Sequence, residues 1–307
     1  MLVIVAPGQG AQTPGFLEPW LADPAFESRL NWLSAVAGLD LAHYGTAADA
    51  DTIRDTAIAQ PLLVAAGLAT APALFTDATQ VGALAGHSVG ELAAAALSGA
   101  LTVEQAMVLV RERGKAMAEA AALTATSMTA VLGGDRDEVL AKLAEYGLTP
   151  ANDNGPGQIV AAGTVEELAA FAEDPPAKSR LIKLSVAGAF HTKHMEPAVQ
   201  TLAKYATAIG TGEPTTKLLS NRDGQVVTDG ADALQRIVAQ VNSPVRWDLC
   251  MQTFTELGVT GILELPPAGT LTGIAKRQLK GVETFALKTP DQLDDARAFV
   301  EKHGASV

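Results

Sequence analysis

The chain has 307 residues, 48% of them hydrophobic and 5% aromatic, enough apolar material to bury a large core in one domain or two. Asp and Glu outnumber Lys and Arg 34 to 22; the formal charge of −12 disfavours a general nucleic-acid or polyphosphate surface, so an acidic partner must find a local basic patch. A single cysteine, Cys250, excludes an internal disulfide framework and multi-cysteine metal sites, and is expected to be a small buried hydrophobe in a protein of the reducing cytoplasm.

Met1 to Ala6 lacks the basic start and apolar length of a signal peptide and reads as a first strand. Pro7-Gly8-Gln9-Gly10-Ala11-Gln12-Thr13-Pro14-Gly15 follows. As a dinucleotide fingerprint it fails, because Thr13 takes the third glycine's place and Pro14-Gly15 stops a helix from starting there. A strand-end loop of this kind can instead lend a backbone N–H to an oxyanion hole. Phe26 to Ala37 has the pattern of an amphipathic helix, and Ala47 to Ile58 that of a polar connection or short helix. Ala57 to Phe75 is the most apolar long stretch, but Gln60, Pro61 and Pro72 interrupt it well short of a membrane span; it predicts a buried helix begun by Pro61 and ended by Pro72.

The chain is organised around Val81 to Glu91. An apolar run suited to a buried parallel strand meets Gly86-His87-Ser88-Val89-Gly90, and Glu91 to Ser98 then reads as an Ala-rich helix closed by Gly99. This is the form of a nucleophile elbow: the turn is so tight that only small residues fit two places either side of the serine, and the hydroxyl is pushed out at a helix N-terminus, where unpaired N–H groups face a developing oxyanion. Thr102 to Ala122 reads as a long helix with Thr102 as N-cap. It contains Arg111-Glu112-Arg113-Gly114-Lys115, from which one arginine could point inward although a solvated face is the default.

The character then changes. Ser127–Leu132, Leu148–Asn152, Gln158–Ala162 and Leu181–Val186 are strand-like, Asp135–Tyr146 and Val165–Ala172 helix-like, giving β-α-β-β-α-β, the order of a ferredoxin-like unit. The expected organisation is a large α/β domain from residues 1–125 and 190–307, with strand candidates at Lys217–Ser220 and Thr260–Glu264, and an inserted ferredoxin-like subdomain over 126–189. An elbow serine needs a base. Of the five histidines, His303 falls in a polar tail and His43 in a loop, and His87 beside the serine should diverge from it and serve packing or hydrogen bonding. His194 is the fifth, and His191 is the best placed, in a glycine-containing loop just after a predicted strand.

Taken together, Gly8-Gln9-Gly10-Ala11-Gln12, Gly86-His87-Ser88-Val89-Gly90-Glu91, Arg113-Gly114, Asn154-Gly155-Pro156-Gly157-Gln158, Phe190-His191 and Asn242-Ser243-Pro244-Val245-Arg246-Trp247 resemble, in this order, the blocks of the malonyl-CoA:acyl-carrier-protein transacylases. The resemblance spans nearly the whole chain and implies a hydrolase-like α/β domain with a ferredoxin-like insert. Position by position it implies Ser88 as the acylated nucleophile, His191 as its base and the backbone carbonyl of Gln240, rather than an aspartate, as the group that orients that base. It further implies oxyanion donors at Gln9 and Val89, Arg113 as partner of the malonyl carboxylate, Asn154 lining the same pocket, and Phe190 as a ring that crowds an α-methyl substituent. Leu265-Pro266-Pro267-Ala268-Gly269 departs from a Gly-Pro-Gly run frequent in the family and puts the local turn in doubt.

The expectation is therefore a cytoplasmic, monomeric transacylase that moves malonyl from malonyl-CoA through Ser88 to the phosphopantetheine thiol of an acyl carrier protein, with no bound cofactor, no metal, and neither nucleic acid nor membrane as partner. A serine thioesterase or hydrolase is the rival among enzymes, since an elbow alone does not distinguish water from a thiol as acceptor. An inactive acyltransferase-like module that binds a carrier protein is the rival outside them. For docking, the available basic clusters are Lys178, Arg180, Lys183 and Lys193, and Lys276, Arg277 and Lys280 on a final helix.

Overall fold

The computed structural model describes residues 1–75 and 80–304. Strand β1 (Leu2–Ala6) is buried on both sides: Leu2, Ile4 and Ala6 enter one apolar cluster, Val3 and Val5 another, as happens when helices cover both faces of a sheet. Helices α1 (Pro24–Ala37), α2 (Leu41–Thr46) and α3 (Thr56–Thr70) follow. Each is opened by an aspartate, Asp23, Asp40 and Asp55 respectively, whose carboxylate accepts a first-turn N–H. His43 therefore lies on a helix, not in a loop. The expected start of α3 at Pro61 is corrected too: Asp55 caps the helix earlier and Pro61 sits inside it. An interior proline costs about 3 kcal/mol, and burial of every residue from Ala59 to Thr70 offsets it. The stretch Thr56–Ala73 is long and apolar enough to cross a membrane by composition, yet 78% of it is buried against the rest of the protein, so its hydrophobicity serves the core.

Strand β2 (Ala83–Gly86) runs through the elbow into α4 (Gly90–Leu97). Helix α5 (Val103–Ala122) begins with a reciprocal capping box between Thr102 and Gln105. On α5, Gly114 lies so close to α3 that a Cβ there would stand 2.8 Å from the carbonyl oxygen of Thr56. That close approach presses the neighbouring Arg113 against α3.

Next come β3 (Thr126–Gly133), α6 (Arg136–Glu145), β4 (Thr149–Asp153), β5 (Gln158–Thr164), α7 (Val165–Glu173) and β6 (Ser179–Lys183). The last strand starts two residues and ends three residues earlier than expected, at Lys183. A second sheet forms in the order β6-β3-β5-β4-β9, its first four strands antiparallel where they pair. One face packs Val131, Ile159 and Ala161 under α6 and α7; Met128, Val160 and Ala162 on the other join the main core.

The chain closes with α8 (Glu196–Ala206), β7 (Lys217–Leu219), β8 (Val226–Val227), α9 (Gly230–Gln240), β9 (Val245–Arg246), α10 (Trp247–Glu256), β10 (Gly261–Glu264), α11 (Thr270–Gln278), β11 (Glu283–Ala286) and α12 (Leu293–His303). The main sheet runs β11-β10-β1-β2-β7-β8, parallel except for the edge strand β8. This is the expected α/β class with a parallel sheet. β9 was not foreseen: two residues long, it extends the second sheet by pairing parallel to β4. His303 is not in a polar tail but buried on α12, stacked on Phe299 and hydrogen-bonded to Thr260. Lys276 and Arg277 belong to α11, the penultimate helix, and Lys280 follows it. Cys250 is fully buried among Trp247, Met251 and Phe254, and burial raises its thiol pKa well above the ordinary value. At the atypical turn after β10 the Glu264 carboxylate accepts the N–H groups of Gly269, Leu271 and Thr272, fastening it to the start of α11.

Candidate active site

The loops after β1, β2 and β7 leave the same edge of the parallel sheet and therefore converge, the usual place for a site in such a fold. At the elbow, a Cβ on Gly86 would lie 1.9 Å from the backbone of Gly90, and one on Gly90 would lie 2.2 Å from the carbonyl oxygen of Ala6. Only glycine fits either position. Ser88 between them is held at φ 52°, a left-handed conformation that costs a non-glycine residue of order 1 kcal/mol or more. Asn221, directly beyond β7, secures the turn: its Oδ1 accepts the Ser88 N–H at 2.7 Å and its Nδ2 donates to the Gly86 carbonyl at 2.7 Å.

His191 comes to Ser88 from the loop after β6, also with a left-handed backbone (φ 61°). Its N–H donates to the Val241 carbonyl at 3.1 Å, and its Nδ1–H donates at 2.8 Å to the Gln240 carbonyl. That carbonyl ends α9, where the helix dipole is negative, and also accepts the Ser243 N–H at 3.1 Å, so a helix terminus does here what a carboxylate does in other triads. With the proton on Nδ1, Nε2 is bare and accepts the Ser88 hydroxyl at 2.8 Å. Burial, and secondly the positive charge of Arg113, push the His191 pKa down to about 3, so the imidazole is neutral near physiological pH.

Arg113 is the inward arginine of α5, 1% exposed. Its guanidinium donates to Gln60 Oε1 at 2.7 Å and Gln240 Oε1 at 2.8 Å, and one nitrogen stands 3.4 Å from Ser88 Oγ. Its Nε–H is buried without an acceptor. Desolvation lowers its pKa to about 10, still far above neutrality, so the charge remains.

Above the serine lies a cleft of about 240 Å³, roofed by Met128, Ala130 and Val160 of the second sheet and walled by Gln9, Phe190 and Ile274 among others. The N–H groups of Gln9 and Val89 have no acceptor among the described residues and flank the serine from the β1 loop and the start of α4. His87 points away from the hydroxyl, as expected: its Nε2 meets Asn154 Oδ1 at 2.8 Å and its ring packs edge-on against Trp247. Gln9, Ser88, Asn154, Phe190 and His191 line the cleft; Val89 adjoins Ser88 in the chain, Arg113 reaches Ser88 and the Gln240 carbonyl reaches His191 without lining it. Three buried groups were assigned no part by sequence reasoning: Gln60, Asn221 and Glu91. Gln60 had a signal, a polar residue inside the most apolar run of the chain; Asn221 had one in its place just beyond a predicted strand.

A strained serine at a strand-to-helix elbow, hydrogen-bonded to a neutral histidine and flanked by free N–H groups, defines an α/β enzyme of covalent acyl transfer or hydrolysis. Residues 3–301 match the acyl transferase domain family. A malonyl CoA-acyl carrier protein transacylase of Mycobacterium tuberculosis is 51% identical over 298 residues, covering 96% of this chain and 99% of that one. One of Bacillus subtilis is 31% identical over 301 residues, 95% of each chain. Among solved structures, MCAT from Mycobacterium tuberculosis superposes with a TM-score of 0.93 at 50% identity over 97% of this chain and 99% of that one. A malonyl-transacylase in complex with its type II PKS acyl-carrier protein gives 0.90 at 30% identity over 97% and 99%. The chain belongs to the acyl transferase family and, within it, to the malonyl-CoA:acyl-carrier-protein transacylases.

Proposed function

We propose that this protein transfers the malonyl group of malonyl-CoA, through an ester on Ser88, to the phosphopantetheine thiol of an acyl carrier protein. The observation that carries the reading is the buried Arg113 beside Ser88 Oγ, with one N–H lacking an acceptor. A buried unsatisfied donor costs about 1 to 3 kcal/mol, a cost that makes sense where a ligand carboxylate takes it up. His191 Nε2 accepts the hydroxyl proton as Oγ attacks the thioester carbon, and the Gln9 and Val89 N–H groups receive the oxyanion. The tetrahedral intermediate collapses, CoA leaves as the thiol with the proton from His191, and the carrier's thiol then repeats the sequence in reverse. A thioester is broken and another made, so the exchange is close to balanced and involves no redox change.

Phe190 narrows the cleft beside the acyl carbon, and Asn154 holds His87 and the cleft wall. The site is built within one chain, in keeping with a monomer, and the lone buried cysteine fits a cytoplasmic setting. We also read residues 126–189 as an inserted unit in the body formed by 1–125 and 190–307; in support, all strands of the second sheet except β9 come from that segment.

Incubation with malonyl-CoA should raise the intact mass by one malonyl group, and Ser88→Ala should remove that adduct. An adduct of undiminished yield in the variant would place the nucleophile elsewhere.

A further inference from the structure

Behind the elbow lies a buried carboxylate that neither half of the transfer uses. Glu91, 4% exposed on the first turn of α4, accepts the Asn221 N–H on Oε1 and the Gln240 Nε2–H on Oε2. Gln240 thereby turns its Oε1 to the Arg113 guanidinium at 2.8 Å. The amide has one sensible orientation: a guanidinium only donates, so oxygen must face Arg113, and an ionised carboxylate only accepts, so nitrogen must face Glu91. Asn221 Oδ1 helps to hold that nitrogen, at 3.2 Å, while also accepting the Ser88 N–H.

Burial raises the Glu91 pKa to about 8 while the two N–H donors and the Arg113 charge lower it; because each oxygen faces an N–H donor, a proton on either oxygen would be set against that donor, so the hydrogen-bond geometry selects the ionised form. The other charges around it are engaged or absent. Arg236 on α9 is held by Asp223 and Asp232, and burial disfavours charge on His87, His191 and the Cys250 thiol. Glu91 is thus the countercharge that Arg113 has behind the site.

We propose that Glu91 is a positioning residue for acyl selection: through the Gln240 amide it aims the Arg113 guanidinium and offsets its charge, and so sets the preference for an acyl group that ends in a carboxylate over a neutral one. This rests on the reading of Arg113 as carboxylate receptor. A glutamine at position 91 would set an NH2 against either the Asn221 N–H or the Gln240 Nε2–H. Flipping the Gln240 amide to relieve the clash would turn its own NH2 on Arg113, which must then move.

The test is the ratio of kcat/KM for malonyl-CoA to that for acetyl-CoA, measured as acylation of Ser88 in wild type, Glu91→Gln, Gln240→Leu and Arg113→Ala. Gln240→Leu keeps the backbone carbonyl under His191 while deleting the amide relay, and it carries the test if Glu91→Gln does not fold. Both should lower malonyl acylation by about tenfold or more and acetyl acylation by much less, so that the ratio falls. A general packing defect would lower both substrates by equal factors and leave the ratio intact. An unchanged ratio in Glu91→Gln and Gln240→Leu, with a reduced one in Arg113→Ala, would overturn the role of Glu91 alone; an unchanged ratio in Arg113→Ala would instead overturn the carboxylate-receptor reading.

Discussion

His191 gains its usefulness as a base from two neighbours acting differently. The Gln240 carbonyl fixes which nitrogen is bare, while burial and the Arg113 charge keep the ring neutral by drawing its pKa down to about 3. A group whose pKa is depressed stays deprotonated above that lower value, so the base remains competent as the solution becomes acidic. Acylation by acetyl-CoA, which carries no carboxylate to offset Arg113, should therefore stay nearly constant from about pH 7 to about pH 5. Arg113→Ala removes the second of the two causes and should move the acid limb upward, toward the ordinary histidine value. Initial-rate pH profiles of the two proteins decide it; a wild-type limb centred at an ordinary histidine pKa would mean that the site is wetter or less charged than described. At this scale the sequence was informative about residue type and poor about partners. A Gly-X-Ser-X-Gly corner announces its serine because the backbone demands those glycines. Nothing local to Gln60 or Glu91 announces that their side chains will meet Arg113 or Gln240 across the fold.

At the scale of the element, the elbow trades backbone comfort for exposure of a hydroxyl. Ser88 is held left-handed by neighbours that leave no room for another path: Gly90 abuts the carbonyl of Ala6, and Asn221 ties both sides of the turn. Ser88→Gly should then unfold at higher denaturant than Ser88→Ala, by about 1 kcal/mol, although both lack the nucleophile. Gly90→Ala should lose about 3 kcal/mol or more, since its new methyl meets backbone rather than a flexible side chain. Denaturant melts of the three variants check both expectations; equal stability of Ser88→Gly and Ser88→Ala would show the turn to be unstrained. The same reasoning explains where element prediction succeeded and failed. Capped and strongly patterned segments such as α5 were legible, because Thr102 and Gln105 act on their own helix. The start of α3 was misplaced because tertiary burial outweighed a local signal, Pro61, and the short strands β8 and β9 exist only because partners already stand beside them.

For the whole molecule, a chain of net charge −12 still presents two basic clusters to the proposed carrier protein. Lys178, just before β6, Arg180 and Lys183 on it, and Lys193, two residues after His191, are exposed, while Lys276, Arg277 and Lys280 are exposed on and after α11, whose Ile274 lines the cleft. Transfer to a carrier protein should slow as ionic strength rises, and transfer to a small thiol should not, because screening weakens the encounter of extended charged surfaces and leaves the chemistry alone. Parallel salt titrations with the two acceptors measure this, and matching slopes would rule out electrostatic docking.

The sequence by itself determined the class of fold and the elbow with its serine, because these follow from local rules: apolar runs for buried strands, caps for helices, glycines where no Cβ fits; the other site residues were reached only through the resemblance of ordered sequence blocks. Only the tertiary structure decided the circuit that joins them, in which one residue, Gln240, supports the base with its backbone and Arg113 with its side chain. The reason is physical. Hydrogen-bond partners far apart in the chain are selected by where the sheets and helices finally pack, and a buried polar group is satisfied by whatever that packing brings within about 3 Å.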